Sequence, residues 1–108
     1  MPRYTAEEIN WSLVIAFSGD ISTEDSAALR ELILSKPQAE KIIIDLAGVS
    51  LITTPGLGTL VSLNKFCKDQ KRRLILCGLS PYVNEIFDLT RLSPIFEIKP
   101  SRKEALVE

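Results

Sequence analysis

The run Lys41-Ile42-Ile43-Ile44-Asp45-Leu46 constrains this chain more than any other segment. Consecutive β-branched residues favour a strand, and a strand with no polar face must be covered on both sides. It therefore belongs at the centre of a sheet that carries other structure against it, and Gly48 breaks it. The segments around it switch between a period of two and a period near 3.6 residues. That alternation predicts an α/β fold.

Upstream, Tyr4 to Glu8 reads as a weak first strand and Asn10 as a turn. Trp11, Leu13, Ile15 and Phe17 alternate with Ser12, Ala16 and Ser18, which predicts a second strand ending at Gly19-Asp20. Val14 interrupts the alternation and points to partial cover on the second face. Ser22 and Asp25 have capping-box spacing. Ala28, Leu29, Leu32 and Ile33 then form a helical stripe that should end near Ser35, because Pro37 disfavours helical geometry at Lys36.

Downstream, a helix is predicted from Pro55 to about Gln70. Leu57, Leu60, Val61, Leu63, Phe66 and Cys67 fill one arc of it, with Gly58, Ser62, Lys65 and Asp69 opposite. A charged turn, Asp69 to Arg73, leads to a short strand, Leu74 to Cys77. Ser80 reads as an N-cap with Pro81 at the first helical position. Val83, Ile86, Phe87 and Thr90 follow at helical spacing. Pro94 stops that region, Ile95 to Ile98 reads as an edge strand, and Ser101 with Glu104 opens a short terminal helix.

Several function classes are excluded by what the 108 residues lack. Without histidine there is no Ser-His-Asp or Cys-His arrangement, and the commonest metal ligand is missing. Cys67 and Cys77 cannot close a zinc site alone and read as reduced buried thiols. No Gly-rich phosphate loop is present, and neither an enzyme activity nor a cofactor is expected. The net charge of −1 gives no global attraction to nucleic acid or anionic lipid. Lys71-Arg72-Arg73 reads as a solvated turn, and Asp20 and Asp45, near strand ends, as capping or solvated groups. The polar start Met1-Pro2-Arg3-Tyr4 has no apolar leader region, and no apolar run is long enough to span a bilayer. A single cytoplasmic domain, residues 1–108, with no direct nucleic-acid contact and no membrane insertion is expected.

One segment carries motif-like character: Thr53-Thr54-Pro55-Gly56-Leu57-Gly58, where a buried strand gives way to a helix. With Thr54 as N-cap and Pro55 at the first helical position, the N–H groups of Gly56 and Leu57 point at the Thr54 hydroxyl. Such a cap is worth about 1 kcal/mol. The same geometry favours an anion, so a phosphothreonine also fits there.

Taken in order, Phe17-Ser18-Gly19-Asp20-Ile21, Ile42 to Ser50, Gly56-Leu57-Gly58, Leu76-Cys77-Gly78-Leu79-Ser80-Pro81 and Phe87 to Leu92 stand at family spacing. Nearly the whole chain thereby resembles a STAS domain, the fold of bacterial anti-sigma factor antagonists. The resemblance implies a four- to five-stranded mixed sheet with helices packed on one face. It also implies a phosphorylation site, because the family typically reads Asp-Ser-Ser-Gly-Leu-Gly at its second helix and the first serine accepts phosphate. Laid onto this chain, Thr53 falls on the aspartate, Thr54 on the phosphorylated serine and Pro55 on the second serine.

The implied partner is an anti-sigma factor with a GHKL-type Ser/Thr kinase fold, bound when Thr54 is unphosphorylated. A PP2C-type phosphatase is the implied second partner. The implied contact surface is Gly19, Asp20, Ser22 and Thr23 of one loop with Thr53, Pro55, Gly56, Leu57, Gly58 and Ser62. The alternative within the family is a constitutive STAS subunit of a membrane lipid-transport ABC complex.

Overall fold

A computed structural model describes residues 3–107; Met1 and Pro2, at the polar N-terminus, and Glu108 lie outside the described residues. Ten elements follow in order: β1 (Tyr4–Ile9), β2 (Ser12–Ser18), α1 (Asp25–Leu34), β3 (Lys41–Gly48), α2 (Thr54–Asp69), β4 (Arg73–Cys77), α3 (Pro81–Leu89), a 3-10 turn (Ser93–Ile95), β5 (Glu97–Lys99) and α4 (Arg102–Val107). The sheet has five strands in the order β1-β2-β3-β4-β5. β1 runs antiparallel to β2, and every other neighbouring pair is parallel. This is a mixed sheet at the upper end of the four to five strands that the family resemblance implies, with β3 at its centre.

Strand parity divides the core in two. Leu13, Ile15 and Phe17 of β2, Ile42, Ile44 and Leu46 of β3, and Leu74 and Leu76 of β4 point to one face. There they meet Leu29 and Ile33 of α1, Leu57, Leu60, Leu63 and Cys67 of α2, and Val83 and Phe87 of α3. The intervening residues Val14, Ile43, Ile75 and Cys77 form a smaller cluster with Ala105 of α4. The three longer helices share one face, as the family resemblance implies for all the helices, and α4 departs from it by packing on the other. The six-residue α4 supplies the second-face cover that Val14 indicated.

Long side chains fasten the ends of this arrangement. Lys41 Nζ donates to the carbonyls of Ala105 (2.8 Å) and Leu106 (3.3 Å), satisfying α4 where its carbonyls lack intrahelical partners. Arg102 pairs with buried Asp45 (2.9 Å) and with Glu7 (3.2 Å). Asp45 also accepts the Ala47 N–H at 2.9 Å, so it caps local backbone, as expected, and is buried rather than solvated. Arg72 donates to the Ile33 and Lys36 carbonyls at the end of α1, at 2.8 and 3.1 Å. Arg73 pairs with Glu97. The basic run is therefore only partly a solvated turn.

Four apolar or hydroxyl positions differ from the sequence reading, one of them Ile95, which closes the 3-10 turn at 46% exposure instead of opening the edge strand, Glu97–Lys99. Trp11 is 66% exposed and sits in the β1–β2 turn with Asn10, at φ of 66° and 45°. Pairing of Ile9 with Ser12 leaves only those two residues for the turn, and a tight hairpin requires positive φ at both. Val61 is 37% exposed, at the edge of the α2 arc. Thr90 is the exposed C-cap of α3, donating to the Ile86 carbonyl at 2.7 Å.

Both cysteines are free and buried. Burial pushes the Cys67 thiol up to about 11, against a smaller lowering by Arg72. It pushes Cys77 up to about 12, with Asp45 adding to the rise and Arg102 opposing it. The folded state therefore holds thiol protons that the unfolded chain releases above about pH 8.5. Stability contributed by the two thiols is full below that pH and falls as pH rises further. Correspondingly, neither thiol should react with a disulfide reagent at pH 8 until denaturant unfolds the protein; stoichiometric reaction under native conditions would contradict this burial.

Candidate functional site

Two segments leave the sheet at the same end. One is the loop after β2, Gly19 to Glu24, and the other is the first turns of α2. Gly19, at φ 94°, turns the chain off the sheet, and its N–H donates to the Gly48 carbonyl at 3.1 Å. Arg3 then clamps the loop, donating to the Asp20 carbonyl and to Asp25 Oδ1, both at 2.7 Å. The other oxygen of Asp25 accepts the Ser22 N–H at 2.8 Å. The Ser22–Asp25 spacing thus makes the carboxylate half of a capping box, while Glu24 takes the N-cap position of α1 without a side-chain cap bond.

This loop rests directly on α2. Thr59 Oγ1 donates to the Ser22 carbonyl at 2.9 Å. Gly56 faces the Ile21 carbonyl so closely that an added Cβ would stand 2.8 Å from it. A glycine is needed there for close approach rather than for unusual backbone angles. Neither Arg3 nor Thr59 was marked as a site residue by the sequence pattern, and Ile21 entered only as the last residue of the motif Phe17–Ile21. A hydroxyl or guanidinium that bonds a backbone carbonyl of another segment leaves no periodic signal.

The helix start differs by one residue from the expectation. Thr53, not Thr54, is the N-cap: its backbone is extended (φ −100°, ψ 168°) and its hydroxyl accepts the Gly56 N–H at 3.2 Å. Its carbonyl accepts the Leu57 N–H at 2.9 Å, the first intrahelical bond. Both N–H groups expected at the Thr54 hydroxyl are thus held by Thr53. Proline follows one position later, where its missing N–H still costs no helical bond. Thr54 becomes the first helical residue, exposed, and its hydroxyl has no hydrogen-bond partner among the described residues.

Removing the Thr53 hydroxyl (Thr53→Ala) should cost about 1 kcal/mol, a fall in Tm of about 4 °C or more. Thr54→Ala should leave Tm almost unchanged. Thermal unfolding of the pair checks the assignment, and the reverse order of effects would return the cap to Thr54.

Of the ten positions expected to contact a partner, Gly19, Asp20, Thr23, Thr53, Pro55 and Gly58 are exposed, and Ser22 and Ser62 are half-buried. Gly56 and Leu57 are buried beneath them, seating the helix. The packing of Gly56 and Thr59 on the loop brings the two segments into one surface. Among the described residues no cluster of three or more His, Cys, Asp or Glu side chains could hold a metal ion. No described helix is long and apolar enough to cross a membrane.

Comparison with known proteins agrees with the architecture. The family model described as STAS domain matches residues 3–105. An anti-sigma-B factor antagonist of Listeria monocytogenes is 33% identical over 87 residues, covering 79% of this chain and 76% of that protein. BtrV of Bordetella bronchiseptica is 26% identical over 105 residues, covering 95% and 90%. Among solved structures, the anti-sigma factor antagonist SpoIIAA in its unphosphorylated form superimposes with a TM-score of 0.74 at 20% identity, covering 95% of this chain and 92% of that one. Its phosphorylated form gives 0.69 at 19% identity, covering 96% of each.

Proposed function

The chain belongs to the STAS domain family, and from that premise we propose that it is an anti-sigma factor antagonist whose binding is switched by phosphorylation of Thr54. In the unphosphorylated state it binds an anti-sigma factor that is also a GHKL-type Ser/Thr kinase, and thereby frees the sigma factor. The kinase transfers the γ-phosphoryl group of its bound ATP to Thr54 Oγ1, with ADP as leaving group and loss of the hydroxyl proton, and the antagonist is released. A PP2C-type phosphatase restores the hydroxyl. The docking surface is the Gly19–Thr23 loop with the exposed face of α2 from Thr53 to Ser62.

The observation that carries this reading is the state of the Thr54 hydroxyl: exposed, unbonded and at the first position of a 16-residue helix. An acceptor must be reachable, and nothing in the fold needs to be broken to reach this one. The product dianion lies at the positive end of the helix dipole, beside the N–H of Thr54, which is not engaged within α2. Thr53 keeps the Gly56 N–H occupied, so the helix stays capped whichever state Thr54 is in. Named relatives that are anti-sigma factor antagonists, one of them structurally known in both phosphorylation states, support the same reading.

The direct test is intact-mass analysis of the protein from its native cell. One added phosphate located on Thr54, and absent from Thr54→Ala, is the expected result. Unmodified protein that co-purifies with an ATPase and a permease would instead place it as a constitutive subunit of a lipid-transport complex.

A further inference from the structure

A second feature of the α2 face lies about two turns beyond Thr54. Between α1 and α2 runs a shallow groove lined by Arg30, Ser62, Lys65, Phe66 and Asp69. The Arg30 guanidinium lies over the Phe66 ring, 5.6 Å from its centroid, and donates to Ser62 Oγ. These contacts hold an exposed arginine in place without neutralising it. Arg3, Arg73 and Arg102 each pair with a carboxylate and Arg72 is spent on helix carbonyls; Arg91 shares with Arg30 the lack of an ion pair among the described residues, but no ring or hydroxyl contact holds it. Among the described residues no carboxylate comes within 4.0 Å of Arg30. Asp69 shares its groove but pairs with neither Arg30 nor Lys65.

We infer that this groove is a carboxylate-recognition subsite, with Arg30 as anchor for an aspartate or glutamate side chain of the protein partner that docks on α2. The inference deepens the proposed function and rests on it for the identity of the partner. Three observations support it. A guanidinium offers five N–H donors in a rigid fork, and the contact to Ser62 leaves most of them for a planar carboxylate. Its orientation is already fixed by the ring and the hydroxyl, so little further side-chain entropy is lost on binding. The lining carries two cations and one carboxylate, a net charge of +1, which matches a single carboxylate better than a phosphate dianion.

The groove is also continuous with the proposed docking face. Thr54, Gly58 and Ser62 stand at i, i+4 and i+8 on α2, one side of the helix. Eight residues of helix rise about 12 Å, too far for a phosphate on Thr54 to reach Arg30. The subsite therefore reads the partner and not the phosphorylation state.

Two measurements test this. The first is an NMR titration with a pentaglutamate peptide, following the Arg30 Nε–H and Ser62 amide signals. Saturable shifts are expected, retained in Thr54→Glu and lost in Arg30→Gln, which should stay folded with a Tm lowered by only a few degrees, since the Phe66 and Ser62 contacts it gives up are at the surface. No saturable shift, equal shifts in Arg30→Gln, or tighter binding of inorganic phosphate than of the peptide would overturn the assignment. The second uses the cognate kinase: Arg30→Glu should weaken its binding to the unphosphorylated protein about tenfold or more. A charge reversal of one acidic residue of the kinase should restore it. Wild-type affinity in Arg30→Glu sinks the subsite alone, whereas wild-type affinity in Thr54→Glu sinks the switch alone. If no kinase binds, the switch fails and the peptide titration still decides the subsite.

Discussion

Thr54→Glu should lower affinity for the anti-sigma kinase by about a thousandfold, equivalent to about 4 kcal/mol, while Thr54→Ala binds like the parent protein. The two states of the antagonist differ in environment, and that difference sets the sign. In the free protein a carboxylate at the first helical position meets the positive end of α2 and open solvent, which stabilises the fold by about 0.3–1 kcal/mol. In a closed interface the same charge loses its water, and a nearby acidic group of either protein would repel it. Asp20 is already an exposed carboxylate on the adjoining loop. Affinity should therefore collapse while Tm holds or rises, which separates a switch from simple unfolding. Thr54→Ala removes a hydroxyl with no intramolecular bond to lose. Binding isotherms and melting curves on the same samples check both halves. Equal binding by the glutamate and alanine variants would defeat the switch.

The residues that settled the fold from sequence are those whose role is written in local order. Ile42, Ile43 and Ile44 alternate between the two cores, so an unbroken β-branched run had to be a doubly covered strand. Ser80 before Pro81 fixed a helix start, and Ser80 does accept the Val83 N–H at 3.2 Å. Thr53 and Thr54 could not be ordered in the same way. Either hydroxyl can cap, and proline is tolerated at the first or second helical position, so local preference is degenerate there. Tertiary seating decides it: Gly56 must pack on the Ile21 carbonyl, and the helix begins where that contact allows.

The supports of the candidate surface were illegible for a different reason. Arg3 reaches Asp25 across 22 residues, Thr59 reaches Ser22 across 37, and Arg102 reaches Asp45 across 57. Polar contacts between distant segments have no period and no fixed spacing. Trp11 misled by composition, because an aromatic at the end of an alternating run mimics a strand residue even where the hairpin must turn.

The largest stability effect is expected at Gly48, and its contrast with Gly58 separates fold from function. Gly48 pairs with Ser18 where the β2–β3 register shifts, and an added Cβ would stand 2.5 Å from the Phe17 carbonyl oxygen. That neighbour is backbone of a buried strand and cannot swing away, so β2 must move. Gly48→Ala should cost about 3 kcal/mol or more, lowering Tm by about 12 °C or more. The displacement would also reach Gly19, whose N–H bonds the Gly48 carbonyl, and so the loop above it. Gly58 is the opposite case. It lies in the interior of α2, is exposed, and a Cβ there would meet nothing within 4 Å. Gly58→Ala should raise stability by about 0.5–1 kcal/mol through helix propensity alone. On the proposed docking face the same methyl would stand inside the interface, so affinity should fall about tenfold as Tm rises. A Gly58→Ala protein with higher Tm and undiminished binding would move the docking surface off this side of α2. Denaturant titration of the two variants, beside kinase binding for Gly58→Ala, makes the measurement.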